Sequence, residues 1–139
     1  FQAGQGEDPY RLHEELQAAM QSLVGIFRTE ADLHEALGRL AGLYARWPAI
    51  RIGGGPTYNP SLGLVFELRN MLIVSEAIAR SARPRKESRG AHSRLDHPEP
   101  DKAWAKKNSV VRRDGETMKV TTSPLPAMPA ELRQLIATE

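Results

Sequence analysis

Three stretches of this chain repeat one hydrophobic rhythm. Leu12, Leu16, Ala19, Leu23 and Ile26 recur at alternating intervals of four and three residues, and Leu33, Leu37, Leu40, Tyr44 and Trp47 do the same. Leu64, Leu68, Met71, Ser75, Ile78 and Ala82 continue the pattern. Such spacing lays one apolar stripe along a helix and favours packing at shallow crossing angles. The start and stop signals agree. Asp8 can accept the first free helical N–H groups, and Pro9 behind it needs no intrahelical donor. Thr29-Glu30-Ala31-Asp32 reads as a capping box, Pro48 stops the second run, and Asn59-Pro60 and Pro84 bracket the third. The link around Phe27-Arg28-Thr29 is short enough to make the first two helices antiparallel neighbours. A longer link, Ile50 to Tyr58, returns the chain for the third. The fold class predicted is mainly α, an antiparallel, up-down-up three-helix bundle over residues 1–84.

The third helix carries a second apolar face. Leu62, Phe66 and Ile73 lie away from the first stripe, with Arg69, Glu76 and Arg80 between the two. A helix apolar on two sides is usually covered on two sides. This one is expected to pack on its bundle and also on something after residue 84, or on another domain. Glu76 and Arg80 are spaced for an i,i+4 ion pair. Beyond Pro84 the rhythm stops. Ser109-Val110-Val111-Arg112 and Met118-Lys119-Val120-Thr121 flank Asp114-Gly115, the pattern of a β-hairpin. Pro124, Pro126 and Pro129 then impose an extended path before a short helix from Ala130 to Ala137. Residues 85–139 are thus expected to form a charged loop, a hairpin and a Pro-rich tail packed on the bundle as part of one domain.

Composition narrows the chemistry. With no cysteine, disulfides, iron–sulfur ligation and thiolate catalysis by this chain are excluded. The longest run of large apolar residues, Met71-Leu72-Ile73-Val74, falls far short of the roughly 20 needed to span a bilayer. A chain of 139 residues suits one domain and is small for a complete cofactor enzyme. It opens at Phe1 with no initiator Met and no basic-then-apolar leader, so it is expected to be trimmed or expressed from something longer. The net charge of +2 hides a gradient, −2 over residues 1–82 and +5 over residues 83–120. A basic block can attract nucleic acid, and a free-standing binder would show affinity falling steeply with salt. Six acids are interleaved in this one and no aromatic stacking platform accompanies it, so no nucleic-acid partner is assigned.

Catalytic motifs are missing. Gly4-Gln5-Gly6 and Gly53-Gly54-Gly55 complete no phosphate-binding pattern. His13, His34, His92 and His97 show neither HxxxH nor HExxH spacing. Ser88 and His92 are a nucleophile and a base by type, without an elbow or an oxyanion donor. No catalytic, cofactor-binding or metal-ligating residue is assigned. The remaining signal is a loop in which Glu87, Arg89, Arg94 and Asp96 alternate in sign around Gly90. Arginine suits bidentate pairing across a boundary. With Ser88 and His92, these four are candidates for an interdomain latch. The competing reading leaves Arg89 and His92 to satisfy local loop carbonyls.

Arg85-Lys86-Glu87-Ser88-Arg89-Gly90-Ala91-His92-Ser93-Arg94, followed by Asp96 and Pro98, resembles the signature near the C-terminus of succinate dehydrogenase and fumarate reductase flavoprotein subunits. Upstream, Asn59 through Glu67-Leu68-Arg69-Asn70-Met71-Leu72 to Ala77 and Ala82 is similar to the helix leading into that motif. Met20 and Val24-Gly25-Ile26-Phe27-Arg28 are similar to the family's first helix. Downstream, Asp101, Trp104, Asp114-Gly115 and Leu125-Pro126 through Arg133 are similar to its closing segment. His97 stands where an aromatic residue is common, and Lys106-Lys107-Asn108 replaces a His-containing stretch.

The resemblance implies a spectrin-like three-helix domain at the end of an FAD-dependent oxidoreductase that interconverts succinate and fumarate. It implies no cofactor in this fragment and FAD in the parent subunit. The implied partners are the upstream FAD-binding and capping domains of the same chain and an iron–sulfur subunit, with a membrane anchor reached only indirectly. The implied location is cytoplasmic, peripheral to the inner or plasma membrane through partner subunits, and the isolated fragment is expected to be inactive. L-aspartate oxidases have a similar bundle and loop. They usually carry Leu where Ala91 stands and finish sooner, whereas 47 residues follow His92 here, which favours the dehydrogenase/reductase branch.

Overall fold

The computed structural model of the chain describes residues 6–136. The architecture is mainly α. Helices α1 (Pro9–Leu23), α2 (Glu30–Arg46) and α3 (Pro60–Ala82) each pack against the other two. Their shared core is aliphatic, built on Leu12, Leu16, Leu33, Leu40, Val65, Leu68 and Leu72, with Ile50 added from the link after α2. A single 3-10 turn, Trp47–Ala49, ends α2 at Pro48. The Trp47 indole N–H donates to the Val65 carbonyl at 2.9 Å, and the Arg69 guanidinium lies 5.6 Å from the ring centre.

Each helix begins with a side-chain cap. Asp8 accepts the Tyr10 N–H at 3.0 Å, and Asn59 accepts that of Leu62 at 3.3 Å. At α2 the box is reciprocal: the Asp32 N–H donates to the Thr29 hydroxyl at 3.2 Å, and the Thr29 N–H to the Asp32 carboxylate at 2.8 Å. Thr29→Ala removes one half of this box and is expected to cost about 1 kcal/mol, read as a lower urea midpoint at unchanged slope.

Which residues face the core differs in part from the predicted stripes. On α2 the buried set is Leu33, Ala36, Leu40 and Leu43, while Tyr44 is 39% exposed and Leu37 and Trp47 are half-buried. On α3 it is Val65, Leu68, Leu72, Ser75, Ala79 and Ala82, leaving Ile78 exposed and Leu64 and Met71 at the margin. Ile26 is exposed as well, because α1 stops at Leu23 and Val24 fills the core in its place. In α2 and α3 the stripe is turned by less than one residue. Intervals of three and four both keep a residue on the same face, and Ala36 and Ala79 are both fully buried there.

On the other side of α3, Phe66 and Ile73 are exposed and Leu62 is half-buried. Glu76 and Arg80 form their ion pair at 2.6 Å.

The chain divides into two compact units, Phe1–Asp101 and Lys102–Glu139. The first holds the helices and the charged loop. In the second, β3 (Lys107–Asp114) and β4 (Thr117–Pro124) pair antiparallel, Val111 opposite Val120 and Asp114 opposite Thr117. Gly115 takes a φ of 60° between them, in the region that favours glycine. The Lys107 ammonium lies 5.8 Å from the centre of the Trp104 ring. A short α4 (Ala130–Ile136) follows the prolines, and Ala137, the predicted end of that helix, lies outside the described residues, as do Gly4 and Gln5.

Candidate functional site

The charged loop is fastened to the bundle by two short parallel strands, β1 (Phe27–Arg28) and β2 (Ser93–Arg94). The Ser93 N–H donates to the Ile26 carbonyl at 3.1 Å, and the Leu95 N–H to that of Arg28 at 3.0 Å. Strand alternation turns Phe27 outward and sends Arg28 and Arg94, directly opposite each other, inward. Between Arg89 and His92 the chain reverses in a tight turn closed by two backbone hydrogen bonds of 2.8 and 3.0 Å. Gly90 supplies the positive φ, 57°, that this turn requires.

Two fully buried charges organise the loop. Arg94 grips Asp96 with two hydrogen bonds of 2.8 Å each, reaches Glu30 at 3.2 Å, and donates to the Arg83 carbonyl at 3.0 Å. Asp96 in turn caps α2 by accepting the Glu30 N–H at 2.9 Å. The Arg94 guanidinium holds the Asp96 carboxyl well below the usual range, although burial works the other way. Glu87 accepts from the Arg85 Nε at 2.8 Å, from the Asp101 N–H at 2.7 Å and from Arg89 at 3.2 Å. Burial pushes the Glu87 carboxyl up, but the Asp101 amide and the two arginines together pull it below its ordinary value. Arg83 and Glu30 add an outer pair at 2.6 Å. A buried charge is tolerated when it is paired and hydrogen-bonded, and both of these are.

Ser88 and His92 do not meet as a nucleophile and a base. The Ser88 hydroxyl donates to the His97 carbonyl at 2.9 Å and accepts the Arg94 N–H at 2.8 Å. His92 places Nε2 2.9 Å from the Arg85 carbonyl, so that nitrogen carries the proton. Burial pushes the imidazole pKa down, and the charges of Arg28, Arg85 and Arg94 add to that effect, outweighing the Arg85 carbonyl. Among the described residues, no three His, Asp or Glu side chains converge as a metal site.

All six candidate residues are therefore brought into one network. Its other members are Arg28, Glu30, Arg83 and Arg85, which the sequence did not single out for this role. Arg28 is the odd one. It is 8% exposed, donates to the Ala91 carbonyl at 3.1 Å and the Val24 carbonyl at 3.4 Å, and its Nε finds no partner. Burial and the nearby Arg94 lower its pKa. No local pattern announces a contact between positions 28 and 91 or between 30 and 94. Only the length of the first link, fixed by the end of α1 and the Thr29 cap, brings them together.

A family model described as "Fumarate reductase flavoprotein C-term" matches residues 13–135. The succinate dehydrogenase flavoprotein subunit of Coxiella burnetii is 40% identical over 110 residues, which make up 78% of this chain and 19% of that protein. The fumarate reductase flavoprotein subunit of Escherichia coli is 35% identical over 130 residues, 86% of this chain and 22% of the relative. Among solved structures, Mycobacterium smegmatis Sdh1 in complex with UQ1 superposes with a TM-score of 0.87 at 41% identity, covering 94% of this chain and 22% of that one. Escherichia coli quinol fumarate reductase gives 0.82 at 34% identity, over 92% and 23% of the two chains. The chain thus spans about a fifth of the length of the curated relatives it matches. It belongs to the family of C-terminal domains of succinate dehydrogenase and fumarate reductase flavoprotein subunits.

Proposed function

We propose that this domain is a non-catalytic brace within an FAD-dependent flavoprotein that interconverts succinate and fumarate and passes electrons to an iron–sulfur subunit. In this reading the helices form an antiparallel, spectrin-like bundle. Its outer face and charged loop are applied to the FAD-binding and capping domains, and the protein reaches a membrane anchor only through partner subunits.

The observation that carries the reading is the face of α3 turned away from the core. At 100° per residue, Phe66, Ile73 and Val74 lie on the side opposite Val65, Leu68 and Leu72, and Ile78 flanks them. All four are exposed. A cluster of large apolar side chains on one helix face marks an interaction surface. The loop supports the same role, because its two buried charges are each satisfied by structural partners, Glu87 by Arg85 and Arg89 and Arg94 by Asp96 and Glu30, rather than facing a substrate pocket.

In the full-length flavoprotein, Phe66→Ser with Ile73→Ser is expected to lower the melting temperature and increase proteolysis at the domain boundary. The same pair should leave the stability of the 139-residue chain unchanged within about 0.5 kcal/mol. Arg89→Ala is expected to lower activity of the intact subunit by loosening the same packing, with a parallel loss of melting temperature. Unchanged melting and activity in both variants would refute the brace, and flavin binding or succinate turnover by this chain alone would refute the non-catalytic role.

A further inference from the structure

His92 has a feature that bracing does not require. Its ring is half-buried, and the charges of three arginines on three elements bear on it: Arg94 on β2, which shares the Arg85 carbonyl with the ring, Arg28 on β1, which holds the adjoining Ala91 carbonyl, and Arg85 on the segment after α3. The carboxylates nearby are already engaged with arginines, Asp96 and Glu30 with Arg94, and Glu87 with Arg85 and Arg89. Arg28 forms no ion pair among the described residues, and it donates to the carbonyl of Ala91, immediately before His92. Lys86 is the other titratable side chain of the loop, and His97, just beyond it, has its backbone tied to Arg94 and to the Ser88 hydroxyl. The backbone on either side of His92 is the fastening itself. Arg89 and His92 close the turn, and the next residue, Ser93, donates to Ile26.

A neutral imidazole fits this place, since Nε2–H donates to the Arg85 carbonyl. A protonated one would add a fourth cation to three, partly out of water and without a carboxylate of its own. We propose that His92 makes the fastening acid-releasable: its protonation expels the ring and frees the Arg85–Leu95 loop from β1 while the three helices remain folded. The lowered imidazole pKa sets the sign. The closed loop binds fewer protons than the open one, so its stability is fully present above about pH 6.5, the ordinary histidine value, and is lost as pH falls below it. Glu30, Glu87 and Asp96 are held below their ordinary range and stay ionised across that window.

Amide hydrogen exchange on the complete chain tests this, corrected for the intrinsic pH dependence of exchange. Between pH 7.5 and 5.5 the opening constant at Ser93 and Leu95 is expected to rise by up to about tenfold, the most that one such group can deliver over this interval. The amides of Leu40 and Leu72 in α2 and α3 should not follow. His92→Gln keeps a donor toward the Arg85 carbonyl and should abolish the dependence, whereas His97→Gln should retain it. A flat response in the unmodified chain would overturn the proposal, as would loss of the response in His97→Gln alone or a parallel rise in the helices. Should His92→Gln fail to fold, the imidazole carbon shifts of the unmodified chain decide. Titration of the His92 ring at or above 6.5 in the closed form refutes the device, and titration clearly below it supports it.

Discussion

Arg94→Met is expected to lose about 2–4 kcal/mol of folding stability, since a hydrogen bond to a charged group contributes roughly 1.5–3 kcal/mol and the carboxylates it leaves behind keep partial access to water. Arg94 is fully buried and holds Asp96, Glu30 and the Arg83 carbonyl at once, so the substitution leaves Asp96 with the Glu30 N–H and without its guanidinium, and takes one donor each from Glu30 and the Arg83 carbonyl. Urea unfolding monitored by circular dichroism measures the loss. A change below about 1 kcal/mol would mean that the network is surface decoration. The same network dictates an acid limb. Asp96, Glu87 and Glu30 have carboxyls depressed below their ordinary values of 3.8, 4.5 and 4.5. A depressed carboxylate contributes stability that is present above its unfolded pKa and lost as pH falls through the folded one. Stability should therefore drop as pH falls below about 4.5, and Arg94→Met should flatten that drop.

Leu72→Ala is expected to cost about 2–5 kcal/mol, since Leu72 is 2% exposed and its truncation leaves a cavity among close-packed aliphatic neighbours. Ile78→Ala, at a position 46% exposed, should stay within about 0.5 kcal/mol in this chain. The pair separates the face that α3 buries from the stripe its spacing predicts, where Ile78 is core and Leu72 is not. Equal losses at the two positions would place the core on the predicted side. In the full-length flavoprotein, a larger penalty at Ile78 than in the isolated chain would show that its exposed side chain becomes covered there.

The two substitutions also mark where sequence reading stops. A helix at Pro9, Glu30 or Pro60 is written locally, in Asp8, in the Thr29–Asp32 box and in Asn59, because a cap contacts backbone two or three residues away. The inward face is not written so locally. Apolar residues stand at Leu64 and Val65, at Met71 and Leu72 and at Ile78 and Ala79, and nothing within the helix chooses between neighbours. Contact with α1 and α2 makes the choice, and it buries Val65, Leu72 and Ala79.

The charged loop divides in the same way. By itself the sequence determined three capped helices, two short β segments around Asp114-Gly115, a family signature at residues 85–98, and Glu87, Ser88, Arg89, His92, Arg94 and Asp96 as one cluster. All six fall within the ten positions 87–96, which kept them within reach of one another under any fold. Only the tertiary structure decided that Glu87 and Arg94 are buried and that Arg94 reaches back to Glu30. It also decided that Arg28 lies beneath the loop with its Nε unpaired. The physical reason, for Arg94 and Arg28, is that their burial depends on groups more than 60 positions away, brought there by the β1–β2 pairing, and no periodicity in the chain encodes that distance.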